Sequence, residues 1–207
     1  SISTNSWTNG PDLPKNRYNH GMALVDVDDD HNREIFIIGG RVDGEISKSV
    51  VSLTIPTTTT SEMDSTMMMK MMKWKEMPDM KEKLDGAGVG VVDGKIFVIG
   101  GRTDKCLSTC EVYSVKEGKW IHSDATTTTA VTVPSPPPMP TARAFAGVAV
   151  IGKRIFVIGG TQELRRLRNV EVLDTQTNKW STLPSMKHAR DGMGIAVIDD
   201  RFIWTFG

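Results

Sequence analysis

The chain has 207 residues with 25 basic and 25 acidic side chains, so its formal net charge at pH 7 is zero. Proteins that bind nucleic acids or anionic membranes usually carry a basic surplus on one face, and this balance argues against both classes. Hydrophobic residues make up 39% of the chain, enough for an ordinary core, and the apolar runs are much shorter than a membrane span. Two cysteines require no oxidising compartment, which favours the cytoplasm, although a chain that starts at Ser1 leaves any upstream targeting segment unread.

A six-residue phrase recurs along the chain and marks the first half of a repeat. Its copies are Ile35–Gly40, Ile96–Gly101 and Ile155–Gly160, with a degraded fourth copy at Phe202–Gly207. Each copy follows an alternating apolar segment across a short turn such as Asp93–Lys95. Two β-branched runs around such a turn predict a β-hairpin, and their repetition predicts an all-β protein.

A second turn and a tryptophan complete each unit. The run Val170–Leu173 leads through Asp174–Asn178 to Trp180, and Glu111–Val115 leads in the same way to Trp120. The unit therefore has four strands, a to d. A glycine pair closing strand b permits positive φ or close backbone approach, and a tryptophan in strand d supplies buried area while its indole N–H needs an acceptor. The structural residues predicted in this way are Gly39, Gly40, Gly100, Gly101, Gly159, Gly160, Trp7, Trp74, Trp120 and Trp180.

These marks resemble the kelch repeat, which has a double glycine closing the second strand, an aromatic residue in the third and a tryptophan in the fourth. The resemblance implies the four-stranded blades of a β-propeller, over approximate repeats 17–80, 84–125, 143–186 and the incomplete 190–207. Tyr113 is the one third-strand aromatic, and Leu53 and Leu173 are plausible replacements for it. Trp204 falls inside the last b strand, where we expect a core substitution.

Counting strands predicts an incomplete ring. One strand d around Trp7, three full units and two final strands make fifteen strands, or about three and a half blades. A four-bladed ring would still lack a c strand, and an open arc leaves apolar edges unpaired. Residues 1–207 are therefore expected to form part of one kelch-type propeller domain with six or seven blades.

Three unusual segments each leave two interpretations open. The insertion at 56–73, rich in Thr and Met, is either a flexible loop or a methionine-rich patch for a partner helix. The insertion at 124–140 is either an extended spacer or a polyproline II ligand. The acidic turn from Asp26 to Glu34 has the alternate spacing of a calcium loop at Asp26, Asp28 and Asp30, but a solvated acidic hairpin explains it as well.

The sequence shows no enzyme signature, metal site or cofactor motif. Cys106 and Cys110 lack two further zinc ligands, which leaves free thiols or a local disulfide. The four histidines form no catalytic arrangement, and the glycine pairs follow strands without opening helices. The resemblance admits one alternative, an oxidase-like or specifier-like kelch enzyme. With only Tyr18 and Tyr113 as tyrosines, a copper site of that kind would lie in blades outside this chain.

Arginines gather in the loops that the strand order places on one side. Strand direction alternates within a blade, so the b–c and d–a loops share a face, and the resemblance implies that this face recognises a partner. A guanidinium binds carboxylates in a bidentate manner, which suggests a protein or acidic peptide as the partner. The predicted partner-binding residues are Arg41, Arg102, Arg143, Arg165, Arg166, Arg168 and Arg190.

An alternative stays open for these arginines. Arg17, Arg143 and Arg190 occupy corresponding d–a positions and would brace the repeat by binding loop carbonyls, while the run Arg165–Arg168 would be a solvated charged loop. We expect a non-catalytic scaffold for protein–protein recognition, serving as a substrate-recognition part of a larger protein. The oligomeric state is left open.

Overall fold

A computed structural model describes residues 7, 9–27, 32–55, 69, 72–121 and 135–207. Asp28, Asp30, most of the insertion at 56–73 and the first part of the insertion at 124–140 lie outside the described residues. The predicted all-β class is confirmed. None of the described segments forms a helix with the length and apolar character needed to cross a bilayer.

The described residues form nineteen strands, of which fourteen build the blades and five are two-residue strands in the loops. In chain order they are β1 (Arg17–Tyr18), β2 (Gly21–Asp26), β3 (Arg33–Ile38), β4 (Arg41–Val42), β5 (Glu45–Ile46), β6 (Val50–Ile55), β7 (Trp74–Met77), β8 (Gly88–Val92), β9 (Lys95–Ile99), β10 (Cys110–Ser114), β11 (Lys119–Ile121), β12 (Gly147–Ile151), β13 (Arg154–Ile158), β14 (Thr161–Gln162), β15 (Arg165–Arg166), β16 (Val170–Asp174), β17 (Lys179–Leu183), β18 (Gly194–Ile198) and β19 (Phe202–Phe206).

The long strands form three complete blades and half of a fourth, which confirms the predicted propeller architecture. Blade 1 has the strand order β2-β3-β6-β7, blade 2 has β8-β9-β10-β11, and blade 3 has β12-β13-β16-β17. Every neighbouring pair is antiparallel, and β18 pairs with β19 in the partial blade 4. The b–c and d–a connections therefore emerge together on one side, which we call the loop face.

The first strands of successive blades lie side by side at the inner edge of the fold. Each begins with a glycine, and in blades 1 to 3 the next blade approaches this glycine too closely for a side chain. A Cβ at Gly21 would lie 2.2 Å from Val89 Cγ2, and one at Gly88 would lie 2.4 Å from Val148 Cγ2. The glycines that open these three blades thus permit close packing between blades.

The core occupies the spaces between blades, as the apolar b strands predict. One cluster joins blades 1 and 2 and includes Phe36, Ile96 and Trp120, while a second joins blades 2 and 3 around Ile155. Tyr113 lies opposite Trp120 in the ladder and packs edge-on against it, with ring centroids 5.2 Å apart.

Leu53 and Leu173 take the position of Tyr113 in their own blades. Leu53 pairs with Trp74 and Leu173 with Trp180, in the register that joins Tyr113 to Trp120. Both leucines are buried. They are the replacements for the third-strand aromatic.

The indole N–H of each d-strand tryptophan finds its acceptor at a proline carbonyl in the preceding d–a segment. Trp74 Nε1 donates to the Pro11 oxygen at 3.2 Å, and Trp120 Nε1 to the Pro78 oxygen at 2.8 Å. Trp180 Nε1 donates to the Pro137 oxygen at 2.9 Å. The described end of the proline-rich insertion therefore takes part in blade packing.

Two tryptophans differ from expectation. Trp7 is fully exposed and lies in none of the described strands. Trp204 does lie in β19 but is 53% exposed, stacked on Phe206, and is not a core residue. Among the described residues, β19 pairs only with β18.

Candidate functional site

Both glycines of every pair have positive φ and fold the b–c loop back across the blade. The values are 60° and 79° at Gly39 and Gly40, and similar at the other two pairs. The second glycine donates its N–H to the d–a segment of the next repeat, as Gly40 does to the Leu84 oxygen at 2.7 Å. A Cβ at Gly40 would lie 2.5 Å from the Tyr18 oxygen. The pairs therefore join neighbouring loops of the loop face.

Arg143 lies inside blade 3. Its Nη1 donates to the oxygens of Gly159 and Asn169 at 2.8 and 3.1 Å, and its Nη2 lies 2.9 Å from Glu171 Oε1. The side chain is 1% exposed, so it offers no surface to a partner. Burial lowers the pKa of Arg143, while Glu171 acts in the opposite sense. The structure thus gives Arg143 the bracing role, and we leave it out of the proposed surface.

Arg17 and Arg190 make the corresponding contact in their own blades. Arg17 Nη1 donates to the Gly39 oxygen at 3.2 Å, and Arg190 Nη1 donates to the Gly207 oxygen at 2.6 Å. Both side chains are partly buried. The d–a arginines therefore satisfy carbonyls at the end of strand b, and we also leave Arg190 out of the proposed surface.

A buried carboxylate holds Arg41 and Arg102 together across the junction of blades 1 and 2. Asp85 is 0% exposed, and its Oδ2 lies 3.2 Å from Arg41 Nε and 3.1 Å from Arg102 Nε. Its Oδ1 accepts from Asn19 Nδ2 at 2.9 Å. Asp85 immediately follows Leu84, which stands where the other repeats have a bracing arginine. We call this group, Asp85 with Arg41, Arg102 and Asn19, the Asp85 clasp.

Arg102 is held in place through its Nε, and its two terminal nitrogens stay available for a partner. Its Nε binds Asp85, and its guanidinium carbon lies 5.0 Å from the centre of the Phe145 ring. The terminal nitrogens make no hydrogen bond within the described part of the chain, and the side chain is 41% exposed. The sequence did not identify Asp85 or Phe145 as functional residues. The available signal was Leu84, which precedes Asp85 and replaces the arginine that the other repeats have at this position.

The arginine-rich b–c loop of blade 3 forms a hairpin from β14 and β15. Arg165 and Arg168 are exposed, and their side chains are unpaired among the described residues. Arg166 Nε lies 2.7 Å from Asp191 Oδ1, in the next d–a segment. Within the described residues, this loop therefore has two arginines without an ion-pair partner and one that pairs with Asp191.

An open depression of about 720 Å³ lies on the loop face between this hairpin and Arg102. Its three arginines outnumber its two acids, and Arg166 already pairs with one of those acids. It is lined by Arg102, Phe145, Thr161, Glu163, Leu164, Arg165, Arg166 and Asp191. We call it the loop-face depression; it combines basic side chains with the apolar surfaces of Phe145 and Leu164.

Both cysteines are free and buried. Cys106 contacts the blade 3 hairpin, and its Sγ lies 3.4 Å from the Thr161 oxygen. Burial, and secondly the charge of Glu111, raise the pKa of Cys110 to about 12, so this thiol is protonated and unreactive at neutral pH.

The residues considered for metal chemistry lie apart. Tyr18 is exposed in β1, whereas Tyr113 is buried in the core between blades 1 and 2. Among the residues that the structure describes, no three His, Cys, Asp or Glu side chains are grouped to hold a metal ion.

Comparison with known proteins identifies the family. The family model described as the KLHDC2/KLHL20/DRC7 Kelch-repeats domain matches residues 65–207. The chain belongs to the kelch-repeat family. This kelch chain is 26% identical over 201 residues to the Kelch-like protein terF of Aspergillus terreus, an alignment covering 92% of the chain and 39% of that protein.

Two further relatives give the same assignment. A Kelch-like protein 40 of Xenopus laevis is 25% identical over 194 residues, covering 91% of the kelch chain and 26% of the relative. A putative F-box/kelch-repeat protein of Arabidopsis thaliana is 31% identical over 111 residues, covering 53% of the kelch chain and 22% of the relative. The chain thus spans well under half the length of these relatives, and its family supports a protein-interaction module.

Proposed function

We propose that this kelch chain recognises an acidic protein segment at the loop-face depression, without catalysing a reaction on it. The observation that carries the proposal is Arg102. Its Nε binds Asp85 and its guanidinium lies over the Phe145 ring, while its two terminal nitrogens have no partner among the described residues and the side chain is 41% exposed. A fixed guanidinium with a free edge is suited to bidentate binding of a carboxylate at little entropic cost.

The neighbouring charges favour the same class of partner. Arg165 and Arg168 are exposed and unpaired among the described residues, and Arg41 adds a partly exposed guanidinium on the other side of Asp85. Glu163 and Asp191 also line or border the depression, but each already accepts a hydrogen bond or ion pair from within the chain. An incoming carboxylate therefore meets available donors and no unpaired acid in the described lining.

The assembly context is part of the proposal. Several relatives are longer proteins named Kelch-like or F-box/kelch-repeat proteins, and the chain matches a fraction of each. We propose that the chain is the recognition part of a longer protein, with the loop face selecting the partner.

The test uses fluorescence anisotropy with a defined probe. A labelled ten-residue peptide in which Asp and Glu alternate with Ser is compared with its Asn and Gln counterpart. We expect the acidic peptide alone to bind, with affinity that falls as salt rises because the surface charges are screened. Replacing Arg165, Arg166 and Arg168 together by Ser should weaken binding at least tenfold with little change in melting temperature.

The matched control lies on the opposite side of the blades. Replacing the exposed Lys116, in the c–d turn of blade 2, and Lys119, at the start of β11, by Ser removes basic charge there and should leave binding unchanged. Equal binding of the acidic and the amide peptide, or unchanged binding by the triple arginine variant, would rule out the proposed site.

A further inference from the structure

The b–c hairpins of blades 1 and 3 have the same two-residue connection but very different residues at the tip. In blade 1 the tip is Asp43-Gly44, with φ of 49° and 90°, a pair that readily adopts a left-handed turn. In blade 3 the tip is Glu163-Leu164, and Glu163 has φ of 53°. Of these two residues only Glu163 has a positive φ, which glutamate rarely adopts, so the tip of blade 3 is not explained by turn formation alone.

Glu163 has a role within the chain. Its Oε1 accepts from the Cys106 N–H at 3.0 Å, and its own N–H donates to Cys106 Sγ at 3.4 Å. Thr161 Oγ1 also donates to the Glu163 oxygen at 3.0 Å. These contacts tie the hairpin tip of blade 3 to the b–c loop of blade 2 and hold its backbone in place.

Leu164 has no such role. Its side chain is fully exposed at the end of the held hairpin, with no partner among the described residues. It borders the loop-face depression, as does the ring of Phe145 beneath Arg102. A leucine exposed on a fixed tip, in a depression that three arginines also line, places apolar and cationic surface side by side.

We propose that Leu164 is the apolar contact of the partner site, and that the segment it receives is an acidic peptide with one apolar side chain between its carboxylates. This inference rests on the proposed function. The carboxylates pair with Arg102 and Arg165, while the apolar side chain packs on Leu164 and Phe145. Because Cys106 and Glu163 hold the tip, little ordering accompanies binding, which favours affinity.

The experiment is a peptide array in which the acidic ten-residue peptide carries one variable central position. Against the wild-type chain, we expect peptides with central Leu, Ile or Phe to bind about fivefold to tenfold more tightly than the peptide with Ser. The variant Leu164→Gly should lose that preference while keeping the Ser peptide's affinity, because glycine suits the turn and the arginines are untouched. The exposed Leu183 on β17 is the matched control, and Leu183→Gly should keep the preference.

The outcomes separate this inference from the function on which it rests. Binding of all acidic peptides with no preference at the centre, or a preference that survives Leu164→Gly, would overturn the role of Leu164 and leave the arginine site standing. Failure of every acidic peptide to bind would overturn both. Hydrogen exchange checks the held tip without any partner: Cys106→Ala should speed exchange of the Glu163 amide, and unchanged exchange would contradict the fixed geometry.

Discussion

Replacing Asp85 by Ala is expected to destabilise the junction of blades 1 and 2 by about 3 kcal/mol. The carboxylate is fully buried and receives Nε of Arg41, Nε of Arg102 and Nδ2 of Asn19 within 3.2 Å. A hydrogen bond to a charged group contributes about 1.5–3 kcal/mol when fully buried. The side chains of Arg41 and Arg102 are 29% and 41% exposed, so solvent screening reduces each contribution to about 1 kcal/mol, and the Asn19 bond adds about 1.

The measurement is urea unfolding of the wild-type chain, Asp85→Ala and Asp85→Asn. The isosteric Asn keeps an acceptor but no charge, so its unfolding free energy should fall between the other two. Asp79→Ala is the matched control, since Asp79 and its partner Lys48 are about half exposed at 3.5 Å and should contribute under about 0.5 kcal/mol. A change below about 1 kcal/mol for Asp85→Ala, or equal effects at both aspartates, would refute the clasp as a stabilising contact.

Three further predictions follow from blade packing and burial. Trp120→Ala should cost about 3–5 kcal/mol in chemical unfolding, and Trp180→Ala less, because Trp120 is 7% exposed and Trp180 only partly buried. Gly88→Ala should lower stability by about 1–3 kcal/mol by clashing with the next blade, whereas Gly194→Ala, with its nearest atom 3.9 Å away, should be neutral in the same assay. Burial, and secondly the charge of Arg17, lower the pKa of His20 in the folded chain below 6.5. On acidification His20 is therefore protonated at a higher pH in the unfolded chain than in the folded one, which favours unfolding. The melting temperature should therefore drop below pH 6.5, and His20→Gln should reduce that drop.

Local signals in the sequence were sufficient for the blades. Turns such as Asp93–Lys95 fix which strands pair, and the recurring glycine pairs and tryptophans fix the order within a unit. Trp7 shows the limit of this reasoning, since it has the motif position but lies in none of the described strands.

The site was harder to predict because its contacts are distant in sequence. Arg41 and Asp85 are 44 positions apart, and Cys106 and Glu163 are 57 apart, in neighbouring blades. An arginine in a d–a segment has the same appearance whether it faces solvent or a carbonyl, and only the folded position of Glu171 shows that Arg143 is buried. The sequence therefore placed the arginines in the loops of one face, but it did not separate the buried Arg143 from the exposed arginines.

At the proposed site, stability and recognition depend on each other, because the residues that hold the loop-face depression also connect the blades. Asp85 links blades 1 and 2 and fixes Arg102, while Cys106 and Glu163 link blades 2 and 3 and fix the hairpin tip. Loosening either link lowers the fraction of molecules with both sides of the depression in place, and apparent affinity falls by that fraction. A ligand that binds the folded face stabilises the fold in return. Weaker partner binding on substitution of Asp85 or Glu163 is therefore expected even though the partner need not touch either carboxylate.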